Sequence, residues 1–168
     1  MLHVNFLAVL VAALVPMVIG FIWYNPKVLG TAWMNAAGIT EEKMKGANMA
    51  LIFGLTFLFS FFVAMTMNFV TIHQWGMQSS LMTPGVDLKD VSSPIGAYFA
   101  DYISKYGNNF RSFKHGALHG TITGIMFILP VIAVNGLFER KGFKYIAINT
   151  GFWVVCLALM GGIICGWQ

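Results

Sequence analysis

The chain has 168 residues, of which 58% are hydrophobic and only 10% charged, with a net charge of +4 and a mean hydropathy of +0.74. A soluble domain carries roughly 25% charged residues, so this composition excludes one and points to an all-α, polytopic membrane protein. The positive balance does not call for nucleic acid as a partner, because the ten Lys and Arg lie singly or in pairs along loops, as ordinary membrane flanks.

Four stretches are long and apolar enough for the roughly 20 helical residues that a hydrocarbon core requires. They are predicted as transmembrane helices at about 5–24, 47–71, 116–138 and 145–167, within one membrane domain covering 1–168. The first has no basic leader and no small-residue cleavage site before Trp23-Tyr24-Asn25-Pro26, so it is read as a retained helix rather than a signal peptide. It carries Ala8, Ala12, Pro16 and Gly20 at four-residue spacing, a thin face suited to helix packing, with Pro16 expected to bend it.

Pro26 and Gly38 bracket a short segment, 27–37, whose Val28, Leu29, Ala32, Trp33 and Ala36 fall on one stripe and predict an interfacial helix. Thr40 is expected to cap a further helix, with Glu41 and Glu42 in its first turn, that continues unbroken into the second crossing. That crossing is rich in Phe and Met, among them Phe53, Phe59, Phe62 and Phe69. Its aromatic stripe is read as lipid-facing and packing surface rather than a cofactor box.

The one sizeable extramembrane piece is the loop at about 73–113. Residues 74–92 are polar and turn-rich and are read as irregular. Ser93-Pro94 then opens an amphipathic helix over 94–106 that Gly107 stops, with Ile95, Tyr98, Phe99, Tyr102, Ile103 and Tyr106 on one stripe. Tyr98, Phe99, Tyr102 and Tyr106 are therefore the candidate contact surface for the membrane interface, the protein's own helix ends, or a partner.

The third crossing opens on His115, Gly116, His119, Gly120 and Gly124. The three glycines form one row at four-residue spacing, a face that a second helix can approach closely. A helix of the same chain is the preferred occupant over a second protomer. His115 and His119 stack at i, i+4 on the neighbouring face and could offer two imidazoles to one metal. Two ligands do not make a site, and a third would have to come from His73, His3, an Asp of the long loop or another subunit. No metal, haem or other cofactor is assigned on this basis, although His119 could also titrate at the membrane edge.

The amides and hydroxyls Asn48, Thr56, Ser60, Asn68, Thr121, Thr123, Asn135, Asn149 and Thr150 are expected to bond between helices, with Asn135 and Asn149 meeting across the hairpin at 139–144. Cys156 and Cys165 stand nine residues apart, on opposite faces of one helix, and cannot bridge. No Asp, Glu, Lys or Arg falls inside a crossing, which argues against a proton-coupled exporter or an ion-driven carrier with a charged relay. With no phosphate loop and no nucleophile–base pair in reach, no catalytic residue is named.

Six Lys and Arg flank the crossings on the side of 25–46 and 139–144, against four in the long loop. The positive-inside rule then puts both termini and the 73–113 loop outside, in the periplasm for an inner-membrane protein.

Gly20-Phe21-Ile22-Trp23-Tyr24-Asn25-Pro26 with Gly30 and Trp33-Met34 resembles the start of the domain of unknown function 1761 family of small bacterial membrane proteins. Leu137-Phe138-Glu139-Arg140, Ile148-Asn149-Thr150-Gly151 and Leu159-Met160-Gly161-Gly162 resemble its end, and the Phe110-Arg111-Ser112-Phe113-Lys114-His115-Gly116 exit is similar to versions from the Bacteroidetes group. The resemblance implies a four-helix inner-membrane protein with no assigned activity and no catalytic residues.

The leading expectation is a non-enzymatic membrane protein acting by association, as an accessory or scaffold subunit or a homo-oligomer. Its partners would be the lipid bilayer, itself or a larger membrane complex. The alternatives are a small channel or carrier for a neutral or weakly polar solute, and a metal- or haem-binding protein using His115 and His119.

Overall fold

A computed structural model describes residues 1–167, without the side chain of Glu41. The first-turn role given to the Glu41 side chain lies outside the described residues. Every regular element described is helical. Four helices are long and apolar enough to cross a membrane: Phe6–Trp23, Met49–Thr71, Phe113–Phe138 and Phe143–Gly166.

The first crossing is α1 (Phe6–Trp23), capped by the Asn5 side chain, which accepts from the Ala8 N–H. After it the chain makes a π turn over Pro26–Gly30, where the Gly30 N–H reaches back to the Asn25 carbonyl, and then forms α2 (Thr31–Ala37). Gly38 ends α2 at φ 71°, a left-handed position that favours glycine.

The expected unbroken helix from Thr40 into the second crossing does not form. A single turn, α3 (Glu41–Met44), is followed by Gly46 at φ 86°, and Asn48 restarts the chain by capping α4 (Met49–Thr71) through the Leu51 N–H. Asn48 is therefore an N-cap and not an interhelical donor.

Residues 74–92 also depart from the irregular reading, because Gln74–Leu81 is helical (α5). Its buried face carries Gln74 and Gln78 in place of apolar residues, so no hydrophobic period marks it in the sequence. The Gln74 amide donates at 2.9 Å to the carbonyls of both Tyr106 and Asn109, and Gln78 accepts from the Leu2 N–H at 2.7 Å.

The amphipathic helix α6 (Pro94–Tyr106) forms with the expected Ser93 cap, whose hydroxyl accepts from the Gly96 N–H. The preceding turn is tied by Ser92, whose hydroxyl and N–H hold the Asp90 carboxyl below the usual carboxylate range. The stripe of α6 is split: Phe99 is buried at 2% exposure, while Tyr98 and Tyr106 face outward.

The third crossing runs as α7 (Phe113–Thr123), a π turn over Gly124–Ile128 and α8 (Leu129–Phe138). Pro130 cannot donate to the turn before it, and the wider turn, closed from the Leu129 N–H to the Gly124 carbonyl, absorbs the misfit. The fourth crossing, α9 (Phe143–Gly166), is the most enclosed helix and packs against α1, α4 and α7. Val9, Ala12 and Ala13 of α1, Ala64 and Met67 of α4, and Cys156, Leu157, Met160 and Ile164 of α9 make the core.

The crossings alternate in direction, so the ends sort into two faces. On one, Leu2 bonds Gln78 and the Arg111 guanidinium bonds the Cys165 carbonyl, joining both chain ends to the long loop. On the other, the Trp23 indole N–H donates to the Ile148 carbonyl and Lys141 donates to the Ala37 carbonyl. Asn149 serves this second face, accepting at 3.2 Å from both the Tyr24 hydroxyl and the Trp33 indole. It does not meet Asn135, which is exposed.

Most other polar groups in the crossings turn back on their own helix rather than across. Asn68 donates to the Ala64 and Met65 carbonyls, Thr71 to Met67, Thr121 to Ala117 and Thr123 to His119. The i−4 carbonyl is always within reach, whereas an interhelical partner has to be positioned.

Candidate metal centre

The glycine row decides how α7 is turned. A Cβ on Gly116 would run into the Gly161 carbonyl, one on Gly120 into the Leu157 carbonyl, and one on Gly124 into the side chain and Cα of Val154. Gly116 and Gly120 therefore seat α7 directly on the backbone of α9, within the same chain, and Gly124 continues the contact at the start of the π turn. Gly161 reciprocates, since a Cβ there would strike the Gly116 carbonyl. In α1, Ala8 and Ala12 are buried in the core, while Gly20 lies 3.7 Å (as a Cβ would) from the Phe152 ring.

With the glycine face on α9, the histidine face, one residue or about 100° round the helix, turns toward the end of α4. The cap of α7 fixes the axial position, because the Ser112 hydroxyl accepts from the His115 N–H. From the other side, Ile72 leaves α4 in extended conformation and is buried, which delivers the next residue, His73, to the same place.

His73, His115 and His119 meet there. One ring nitrogen from each lies within 4.8 Å of the others. The Nε2 atoms of His73 and His115 are 2.9 Å apart, so one N–H donates to the bare nitrogen of the other. Ring centroids are separated by 5.0 Å for His73 and His115, 4.9 Å for His73 and His119, and 4.5 Å for His115 and His119. His73 is exposed and the other two are half-buried, which leaves an open approach.

A tetrahedral ion about 2.1 Å from each nitrogen needs the nitrogens about 3.4 Å apart. That value sits between the 2.9 Å pair and the 4.8 Å limit, so small rotations of the rings suffice. Three neutral imidazoles suit zinc, copper(II), nickel or cobalt, and not the oxygen-seeking magnesium or calcium. Among the described residues this is the one group of three or more His, Cys, Asp or Glu arranged this way.

The sequence places His115 and His119 together by helical spacing, but His73 stands 42 residues away and joins them only through the fold. His3 and the loop aspartates do not enter the group. Of the residues that border it, Gln74 carries no signal in the sequence, and Phe110 enters only as the first residue of the Phe110–Gly116 exit. Gln74 holds the entry of the loop to its exit, and Phe110 lies with its ring 5.1 Å from that of His115.

A family model described as "Protein of unknown function (DUF1761)" matches residues 7–165. No curated protein matches the chain, and no solved structure does.

Proposed function

The chain belongs to the DUF1761 family of proteins of unknown function, and we propose that this four-helix membrane protein binds a transition-metal ion through His73, His115 and His119. The family's description supplies no activity to carry over. The observation that supports the proposal is the convergence of three ring nitrogens within 4.8 Å from two different crossings. Two of these residues share a helix turn by spacing alone, but the third has no local reason to be there. The ion would keep at least one position open to the aqueous side, as three-ligand sites do.

The test is metal analysis and titration calorimetry of the purified protein with zinc, nickel and copper(II). One ion per chain is expected, lost in His73→Ala, His115→Ala and His119→Ala. Equal binding by all three variants would remove the proposal.

A second reading, association with another membrane protein or with itself, is favoured by the outward Tyr98 and Tyr106 of α6. The glycine row does not serve it, being occupied by α9. A defined oligomer in mild detergent that Tyr98→Ser weakens would support it, and a monomer throughout would dismiss it. A solute pathway has less to draw on. The cleft of about 440 Å³ beside Pro16, Gly20, Thr56 and Phe152 is walled mainly by apolar side chains.

A further inference from the structure

Phe110 occupies a position that its residue type makes costly. Its φ is 62°, in the left-handed region that a bulky aromatic residue rarely adopts and where glycine or asparagine would be relaxed. The cost is not offset by burial, since the side chain is 66% exposed. The backbone alone does not require it either. The Phe110 carbonyl accepts from the Ser112 N–H at 2.9 Å and from the Cys165 thiol at 3.3 Å, and any residue could supply that carbonyl.

What the side chain does supply is a wall. Its ring lies tilted 5.1 Å from the ring of His115 and stands edge-on 6.2 Å from that of His73. Arg111, the next residue, is fastened to the Cys165 carbonyl, and Ser112 caps the helix that carries His115. The segment is thus held on both sides in a way that presents the ring to the histidines. A strained residue kept at the rim of a cluster of ligands is a reason to look for a role.

We propose that Phe110 is a positioning residue for the metal ion. Its ring fixes the plane of His115 and shields one side of the ion from water, leaving the opposite side for an exogenous ligand. An apolar wall of this kind controls solvent access to an ion and the orientation of its ligands. The inference rests on metal binding by the three histidines and adds a fourth residue, outside the ligand set, that tunes it.

The experiment compares wild type with Phe110→Asn, Phe110→Gly and Phe110→Tyr, loaded with cobalt(II) in the full-length protein. Asn keeps the left-handed backbone and removes the ring, Gly relaxes the backbone, and Tyr restores the ring. The expected result is about tenfold weaker binding and a changed cobalt absorption spectrum for Asn and Gly. Both should equal or exceed the wild-type thermal midpoint without metal, because the left-handed strain is relieved, and Tyr should recover affinity and spectrum together. Equal affinity and spectrum in Asn and wild type overturn the inference while leaving the three-histidine site intact, as does a loss seen in Gly alone. A wild-type chain that takes up no metal overturns the proposed function itself, and this inference with it.

Discussion

The three histidines are ligands only while they are neutral, so metal and protons compete for the same nitrogens. Up to three protons must leave the rings to admit one ion. Affinity should therefore fall as pH is lowered, and by more than tenfold per pH unit once more than one ring must lose a proton. Zinc titrations between pH 5.5 and 8 check this, and a flat profile would mean that other groups hold the ion. The exposed His73 should matter as much as the two helical histidines, because it is the one member of the cluster that comes from the end of α4. Its loss should cost more than the roughly 10–100-fold typical of a partner outside the ligand shell.

At the scale of elements, the contact between α7 and α9 sets the geometry that the site inherits. A methyl group on Gly120 meets the Leu157 carbonyl and the Ala158 backbone nitrogen, so the helices must part. Gly120→Ala should destabilise the fold by about 1–3 kcal/mol, the usual cost of overpacking. Gly120→Leu should prevent folding of the chain, whatever its oligomeric state. Gly54 on α4 is the control, since a Cβ there meets nothing within 4 Å, and Gly54→Ala should keep stability or raise it by up to about 1 kcal/mol. Thermal unfolding in detergent, read by fluorescence size-exclusion, separates the two. A second contrast lies at the opposite face, where Asn149→Ala strips the Tyr24 hydroxyl and the Trp33 indole of a shared acceptor. About 1–2 kcal/mol should be lost there, in the range measured for buried and intramembrane hydrogen bonds.

These contrasts also show which parts of the molecule are legible in the sequence. The crossings, the Ser93–Gly107 bounds of α6 and the small-residue face of α7 follow from composition and spacing, which are local. The helix Gln74–Leu81 was hidden because its buried face is polar and earns its place through bonds to Tyr106, Asn109 and Leu2, all distant in sequence. The break at Gly46 needed a positive φ that no periodicity reports. The histidine cluster was partly visible: i, i+4 spacing gives His115 and His119, and the packing of α4 beside α7 selects His73 from the alternatives that the sequence left open for a third.

At the scale of the whole molecule, the alternation of the four crossings places the histidine cluster, both ends of the chain and the long loop on one face. The charge bias of the flanking Lys and Arg predicts that this face is the outer one, which would make the proposed metal site a receiver of external rather than cytosolic ions. The native thiols make the prediction easy to read, because Cys156 and Cys165 are both 0% exposed and should stay silent to a membrane-impermeant maleimide. Ser92→Cys in the long loop and Glu139→Cys in the α8–α9 hairpin then report opposite sides. In intact cells Ser92→Cys should label and Glu139→Cys should label only after lysis. An impermeant chelator added outside should strip the ion from the same cells. Labelling of Glu139→Cys alone would invert the orientation and turn the site toward the cytosol, where a slim difference in flanking charge would have misled the count. Labelling of both in sealed cells would contradict four crossings of alternating direction, and with them the common face that brings His73 to His115 and His119.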